Sequence, residues 1–280
     1  MTYSIVARDP ATGELGVAVQ SHYFGVGPVV PWLRPGVGAV ATQAMVEIAY
    51  GPRTLDLLAA GHTPQAALDE LTAADEAAAI RQVATVDVTG AVATHTGSRC
   101  IAEAGHRNGD GWSVQANMMT NPTVPDAMAA AYLGAGDDGD LASRLLAALD
   151  AAEDAGGDIR GRQSAALVVV GGDAGLPAWD RIYDVRVDDS PEPLVELRRL
   201  VGMRRAYRTV ATDDPVLGPN PELRFWTALQ LASKGDVVGA RGLLDAVYAV
   251  DGRWRELLRR LPAAGQFPDD PALVSALTDP

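Results

Sequence analysis

The pattern of strands and helices predicted from the sequence favours an α+β fold with four layers. Two antiparallel sheets would pack face to face, with a layer of helices on each outer side. Strand patterns occur in consecutive hairpins and helical patterns occur in pairs, in the order β-β-β-α-α-β-β-β-α-α-β-β-α. This order disfavours a parallel sheet, in which single strands and single helices alternate. With 280 residues and 48% hydrophobic content, the chain can bury a substantial core.

Turn residues and apolar segments place the strands. Asp9, Pro10 and Gly13 have turn chemistry and would join the first two strands in a hairpin. Gly90 has the same role in a later hairpin. The predicted strands cover residues 3–8, 15–20, 37–42, 82–87, 91–96, 112–118, 165–170 and 182–187.

Leucine and alanine at helical spacing place the helices. Between the first two helices, Gly61 suits a C-terminal cap, and Thr63 suits an N-cap before Pro64 at the first helical position. A fourth helix has an apolar stripe that includes Leu141, Leu145 and Leu149. The predicted helices of this domain cover residues 50–60, 64–73, 124–132, 141–152 and 193–207.

A segment rich in proline, glycine and acidic residues divides the chain. Residues 211–221 read as a linker between an αββα domain at 1–210 and a small helical domain at 222–280. The small domain would contain a helical pair at 223–233 and 237–250, followed by a helix at 254–261. No second copy of this unit follows, so a solenoid is not predicted.

Charge and cysteine usage limit the classes of partner and compartment. The net charge is −13 and is spread along the chain, which argues against nucleic acid as a main partner. No segment approaches the roughly 18 apolar residues of a transmembrane helix, and no signal-peptide pattern is visible. The single cysteine, Cys100, excludes an internal disulfide and fits a reducing cytoplasm. We therefore expect a cytoplasmic protein that acts on a small molecule without a membrane partner.

The near absence of lysine restricts the chemistry. Lys234 is the sole lysine among 23 basic residues. The larger domain therefore cannot use a Schiff-base lysine or a phosphate-binding lysine. No histidine or cysteine spacing suits a metal, so neither a metal nor a cofactor is expected. The remaining candidates are hydroxyls, histidines, carboxylates, arginines, amides and the amino terminus.

Thr2 follows Met1 directly, and a threonine is small enough for methionine aminopeptidase to remove Met1. A free N-terminal threonine could use its own α-amine as the base that activates its hydroxyl. The reference pKa of that amine is about 7.7–8.0, so part of it is unprotonated at neutral pH. Threonine at position 2 is also ordinary in bacterial proteins, and this alternative stays open.

Several segments between residues 1 and 207 match a known family in order. They include TYSIVARDPATGELGVAVQSHYFGVG, GAVATQA, RQVATVDVTGAVATHTGSRC, AGHRNGDGWSVQANMM and AGGDIRGRQSAALVVV. On these segments the chain resembles a bacterial family of unknown function that is placed within the N-terminal nucleophile (Ntn) hydrolase superfamily. The resemblance implies that Thr2 begins the first strand of an αββα sandwich. Residues 212–280 are similar to an extension of some members that is described as peptidoglycan-binding.

The chain departs from this family at two positions. Many members have glycine where this chain has Ala116, and histidine where it has Ser190. Related enzymes also place a lysine near their threonine. Here the base would be the α-amine alone or a histidine.

By analogy with proteasome-like members of the superfamily, Asp158 and Ser164 would orient the terminal amine. Gln115 and Asn117 stand two apart on a predicted strand and would face the same side. An amide donor on that face could stabilise an oxyanion, and Asn117 is the candidate. The alternative is that these amides are buried and satisfy backbone groups.

The remaining candidates depend on position. His95 ends a predicted strand, and the histidine side chain is a common general acid or base; His106 is a similar candidate, and either could instead be a structural histidine. Arg160 and Arg162 could bind a substrate carboxylate or pair with the protein's own acids. Ser21 would lie beside Thr2 if the first hairpin pairs closely.

Together these features predict an amide hydrolase with Thr2 as nucleophile, acting on a small polar or cyclic amide. We also expect a homodimer, with the C-terminal helices as a docking or dimer element. The alternative is a non-catalytic ligand-binding or scaffold protein on the same fold, associated with the cell wall through its C-terminal domain.

Overall fold

The computed structural model describes residues 2–136, 139–209 and 220–279. It separates into two compact units, one ending at Val201 and one beginning at Gly202. Residues 211–219 of the predicted linker lie outside the described residues. The last two linker residues belong to a helix instead, because the Asn220 side chain caps it and Pro221 is its first residue.

Ten strands in the described residues form two antiparallel sheets. The first sheet has the order β10-β9-β2-β1-β8-β7, and the second has the order β3-β4-β5-β6. In chain order the strands are β1 (Thr2–Arg8), β2 (Leu15–Ser21), β3 (Pro31–Arg34), β4 (Gly38–Ala44), β5 (Arg81–Asp87), β6 (Val92–Thr96), β7 (Gly105–Gly109), β8 (Trp112–Asn117), β9 (Ser164–Val170) and β10 (Arg181–Val187).

A pair of helices covers the outer side of each sheet. The helices are α1 (Tyr50–Ala59), α2 (Pro64–Ala73), α3 (Val124–Gly134) and α4 (Leu141–Asp154). The first pair packs on β4 and β6, and the second pair packs on β1, β2 and β8. Because β1 also contacts β4 and β5 of the other sheet, the four layers follow the order helix, sheet, sheet, helix. The predicted α+β sandwich is confirmed.

Strand β1 shows how the alternation of side chains builds two cores. Tyr3 and Ile5 pack with the apolar stripe of α4, whereas Val6 packs between the two sheets. Successive residues of a strand point to opposite faces, so each buried strand serves both cores. The hydrophobic burial of each large side chain contributes about 1.5–3 kcal/mol to folding.

The structure adds two strands that the sequence pattern did not predict. Strand β3 begins at Pro31 and lies at a sheet edge, where a missing N–H is tolerated. Strand β7 consists of Gly-His-Arg-Asn-Gly, which has no apolar alternation, and it also lies at an edge. The predicted cap is confirmed: the Thr63 hydroxyl accepts a hydrogen bond from the Ala66 amide at 3.2 Å.

The smaller unit is helical. Helix α5 (Pro193–Thr209) crosses the boundary between the units, and α6 (Pro221–Ser233), α7 (Val237–Val250), α8 (Arg253–Arg260) and α9 (Pro271–Thr278) follow. Helix α9 was not predicted. Helices α6 to α9 share a core that includes Phe225, Leu244, Leu258 and Leu277. Among the described helices, none has the length and apolar character needed to cross a membrane.

We expect Leu149→Ala in α4 to destabilise the larger unit by about 2–5 kcal/mol, because it leaves a cavity in a core where Leu149 is fully buried. Leu133→Ala in α3 is the matched control, since Leu133 is 63% exposed and should change stability by less than about 0.5 kcal/mol. The stability of both variants can be measured from the urea dependence of hydrogen exchange in peptides of β1 and β9, using the full chain. Equal effects would contradict the packing of α4 on the first sheet.

Candidate functional site

A row of four polar side chains crosses one end of the first sheet. Thr2 pairs with Asn117 on β8 and with Ser21 on β2, and Ser21 pairs with Ser164 on β9. Directly paired residues project to the same face of a sheet. Ser4, two residues after Thr2, bonds Gln43 of the second sheet, so this face is the one between the sheets. All four side chains of the row are buried.

The hydroxyls of this row bond to each other and to the loop after β2. Thr2 Oγ1 lies 3.1 Å from Ser21 Oγ. Ser164 Oγ donates to the Tyr23 carbonyl at 2.5 Å and accepts from the Val26 amide at 3.1 Å. Ser164 therefore anchors the loop that follows Ser21.

Asp158 anchors the same loop from the other side. Its side chain is fully buried, and its carboxylate accepts hydrogen bonds from the backbone amides of His22 at 3.1 Å and Arg160 at 2.9 Å. The Arg160 guanidinium completes an ion pair at 3.2 Å. A buried carboxylate requires such partners, because loss of hydration is otherwise costly. Asp158 thus fixes the backbone directly after Ser21.

Buried amides hold the backbone of Thr2. The Thr2 carbonyl accepts from Gln43 Nε2 at 3.1 Å and from Asn117 Nδ2 at 3.3 Å. Both nitrogens also donate to Gln82 Oε1, at 2.8 and 2.9 Å. Gln82 Nε2 in turn donates to the Ala116 carbonyl at 2.9 Å. One glutamine on β5 therefore links the two amides, from β4 and β8, that hold the start of β1.

A cavity of about 360 Å³ opens beside this row, and a recess of about 60 Å³ adjoins it. The recess is bordered by Thr2 and Ser21, and it shares Tyr23, Ala44 and Val46 with the larger cavity. The other residues of the larger cavity are Met45, Ile80, Arg81, Arg99, Cys100, Ile101, Asn117, Met118 and Arg160.

Two wall residues of the cavity have unusual backbone conformations. Ala44 has φ of 70° and Met118 has φ of 60°, and these are the non-glycine residues with positive φ in the described part of the chain. Such a conformation costs about 1–3 kcal/mol and persists where the surrounding structure imposes it. Strained residues of this kind cluster at ligand-binding walls, which supports this cavity as the functional site.

The charged residues of the cavity wall are all arginines. Arg81 pairs with Asp75 at 2.9 Å, and Arg160 pairs with Asp158. Arg99 makes neither a side-chain hydrogen bond nor an ion pair within the described residues. Burial raises the pKa of the Cys100 thiol, which favours its neutral form.

Comparison with known proteins places this architecture in a family. The profile of a family of unknown function, DUF1028, matches residues 2–197. The chain belongs to the DUF1028 family. It is also similar to the crystal structure of protein SPO2555 from Silicibacter pomeroyi, itself assigned to DUF1028, with 31% identity and a TM-score of 0.66 over 76% of this chain and 87% of that chain. None of the curated proteins matched the sequence.

In this DUF1028 protein the structure brings most of the predicted site residues to one end of the sandwich. Thr2, Ser21, Asn117 and Ser164 form the row, and Asp158 and Arg160 flank it. Asn117 Nδ2 donates to the Thr2 carbonyl and to Gln82 Oε1. These contacts are those of a buried amide that satisfies its neighbours, which was the alternative to a role as oxyanion donor. Gln115 is also a buried amide, donating to the Ala41 carbonyl at 2.9 Å.

The two histidine candidates lie outside the residues that line the cavity. His95 Nε2 bonds the Ala78 carbonyl at 2.7 Å, which is a structural contact. His106 Nδ1 bonds Thr96 Oγ1 at 2.9 Å. Burial, followed by the charges of Arg107 and His95, lowers the pKa of His106 and favours its neutral form.

Arg162 also lies away from the cavity. It pairs with Glu153 at 2.7 Å and with Glu192, so its charge is used within the protein. The alternative in which these arginines pair with the protein's own acids describes the contacts of Arg162, and of the two arginines it is Arg160 that lines the cavity. Within the described residues, no group of three His, Cys, Asp or Glu side chains is placed to hold a metal ion.

Sequence reasoning missed the residues that surround Thr2 from the second sheet. Gln43 and Gln82 are polar residues near the ends of strands β4 and β5, next to apolar residues of the same strands, and this position was the available signal. The sequence has no comparable signal for Arg99. Its candidacy depends on the absence of a nearby carboxylate in the described part of the folded chain, which the sequence does not reveal.

We expect Gln82→Leu to destabilise the larger unit by about 3 kcal/mol or more. The change leaves the buried Ala116 carbonyl and the Asn117 amide without their partner, and each such group costs about 1–3 kcal/mol. Gln65→Leu is the control, because Gln65 is exposed on α2. Urea unfolding measures stability, and faster hydrogen exchange at the start of β1 would report loosening of Thr2. A neutral result would mean that the amide network does not hold the sheets together.

Proposed function

We propose that this protein is an amide hydrolase of the Ntn type, with Thr2 as its nucleophile after removal of Met1. The observation that carries the proposal is the position of Thr2. It begins a central strand, its hydroxyl contacts Ser21, and it borders a recess that adjoins a cavity of about 360 Å³. Met1 itself lies outside the described residues.

The proposed reaction uses the hydroxyl and the α-amine of Thr2. Thr2 Oγ1 would attack the amide carbon while the α-amine of the same residue takes the hydroxyl proton. Collapse of the tetrahedral intermediate breaks the C–N bond, and the α-amine returns the proton to the leaving nitrogen. Water then attacks the resulting ester, releasing a carboxylic acid and restoring the threonine.

The contacts of Thr2 support this role through positioning. Gln43 and Asn117 fix its carbonyl, and Ser21 lies within hydrogen-bond distance of its hydroxyl. Asp158 and Ser164 hold the loop beside it. A nucleophile held in one geometry loses less entropy on reaching the transition state, which is a large part of catalytic power. These five residues are therefore positioning residues in the proposal.

Membership of the Ntn hydrolase superfamily is part of the proposal. It is supported by the four-layer sandwich and by a hydroxyl residue that begins a central strand of its inner sheets. The cavity volume lies at the lower end of the roughly 300–1,000 Å³ that is typical of ligand pockets. A small polar or cyclic amide therefore fits the proposal better than a long peptide.

One observation favours a second candidate function, ligand binding without catalysis. Thr2 borders the small recess but does not line the larger cavity, which has arginine and apolar walls. A ligand could occupy that cavity without reaching the hydroxyl. Substitution of Thr2 separates the two functions, because binding would survive it and hydrolysis would not.

Two measurements test the nucleophile. The intact mass of untagged protein should show loss of one methionine. Release of amines from a panel of N-acyl amino acids and lactams should fall by about 10³-fold or more in Thr2→Ala, because the covalent route is lost. Thr2→Ser should keep measurable activity, since it retains both hydroxyl and amine.

Thr12→Ala in the exposed turn after β1 is the control and should keep full activity. An N-terminal fusion should block turnover, whereas a C-terminal fusion should not. Retention of Met1, or equal turnover by Thr2→Ala and the unaltered protein, would overturn the mechanism.

A further inference from the structure

We infer that the cavity beside Thr2 is a binding site for small carboxylates, and that Arg99 supplies the attraction. As a statement about binding, the inference is independent of catalysis. Only the identification of that carboxylate as part of the substrate rests on the proposed amide hydrolysis.

The sign of charge in the cavity opposes that of the whole protein. The chain has a net charge of −13, yet the cavity wall contains Arg81, Arg99 and Arg160 and no aspartate or glutamate. A concave site lined by one sign of charge concentrates the opposite ion. The arginines of this wall therefore give the cavity a sign of charge opposite to the net charge of the protein.

Arg99 carries the unbalanced part of this charge. Arg81 is met by Asp75 at 2.9 Å and by Glu47 at 4.0 Å, and Arg160 is met by Asp158 at 3.2 Å. These pairs offset most of the field of their arginines. Arg99 has no such partner in the described parts of the chain, so its guanidinium is available to a ligand.

The backbone around Arg99 is held in place although its side chain is exposed. The Arg99 amide donates to the Ala79 carbonyl at 2.7 Å, and the Cys100 amide donates to the Gly97 carbonyl at 3.0 Å. Gly97 permits this close approach, because a Cβ there would lie 2.3 Å from the Ala79 oxygen. A loop that is already ordered loses little entropy when a ligand binds.

The chemistry of the walls indicates the kind of anion. A guanidinium presents paired N–H groups that match the two oxygens of a carboxylate. Met45, Ile80 and Ile101 provide apolar surface for the rest of the ligand. Because the cavity adjoins the recess of Thr2, a bound carboxylate would hold an attached amide toward that hydroxyl. The ligand class is a small carboxylate with a short apolar or amide-bearing arm.

Cys100 provides a direct test, because it is the single cysteine of the chain and lines the same cavity. Iodoacetate and iodoacetamide alkylate a thiolate in the same way: an S–C bond forms and iodide leaves. Iodoacetate carries a negatively charged carboxylate, whereas iodoacetamide carries a neutral carboxamide in the same position. The ratio of their rate constants therefore measures the preference of the cavity for an anion, and a change in thiolate fraction affects both reagents equally.

We expect this ratio in the native protein, in mildly alkaline buffer, to be about three- to tenfold above its value for the same protein unfolded in concentrated urea. Arg99→Gln should return the ratio to the unfolded value or below, and Arg99→Lys should retain part of it, because lysine keeps the charge but lacks the paired N–H groups. Arg34→Gln is the control, because Arg34 pairs with Gly38 at the end of β4 that is far from Ala44. A native ratio equal to the unfolded one, or one unchanged by Arg99→Gln, would overturn the inference.

A second arm separates binding from catalysis. In Thr2→Ala protein, N-acetylglycine should slow alkylation of Cys100 by iodoacetamide, and neutral N-acetylglycinamide should not. Such protection without any turnover by the unaltered protein would sustain the site and reject the hydrolase. Turnover of neutral amides, without protection of Cys100 by N-acetylglycine, would support the hydrolase and reject the carboxylate site. Stronger protection by inorganic phosphate than by N-acetylglycine would overturn the carboxylate assignment.

Discussion

The hydrogen bonds of Gln82 determine the arrangement of the site. This side chain lies between the two sheets, accepts from Gln43 and Asn117, and donates to the Ala116 carbonyl. The sheets could pack on apolar contacts alone, as they do around Val6 and Val17. Buried amides add a directional requirement, because a slip of either sheet would leave several donors and acceptors unsatisfied. The network therefore fixes the register at the end of the sandwich where Thr2 lies.

The same hydrogen bonds hold the backbone of Thr2 at the border of the recess. Thr2 is held through its carbonyl from two strands, so its hydroxyl is positioned without contacts that block it from the recess. The strained conformations of Ala44 and Met118 occur where β4 and β8 end, beside the residues of this network. The packing of the sandwich offsets the cost of this strain. Beside these strand ends lies a small cavity with arginines on its wall, in a protein whose net charge is strongly negative.

The sequence predicted the strands with apolar character and the helices with apolar stripes, and it placed the pairs of elements correctly. It missed β3, β7 and α9, because edge strands and short terminal helices bury too little apolar surface to leave a pattern. For the site, it selected Thr2, Ser21, Asn117 and Ser164 one by one. Their alignment in a single row depends on strand pairing between residues as far apart as 2 and 117, which local patterns do not specify.

The sequence by itself determined the four-layer class, the hydroxyl at the start of the first strand and the exclusion of lysine chemistry from the larger unit, because periodicity and composition are local properties. Tertiary structure alone decided which polar residues serve the site. Arg160 lines the cavity and Arg162 does not, although they stand two residues apart, and Arg99 is available because no carboxylate reaches it in the described structure. Hydrogen bonds and ion pairs act over a few ångströms, so the partner of each charged or amide group is set by the packing of distant segments.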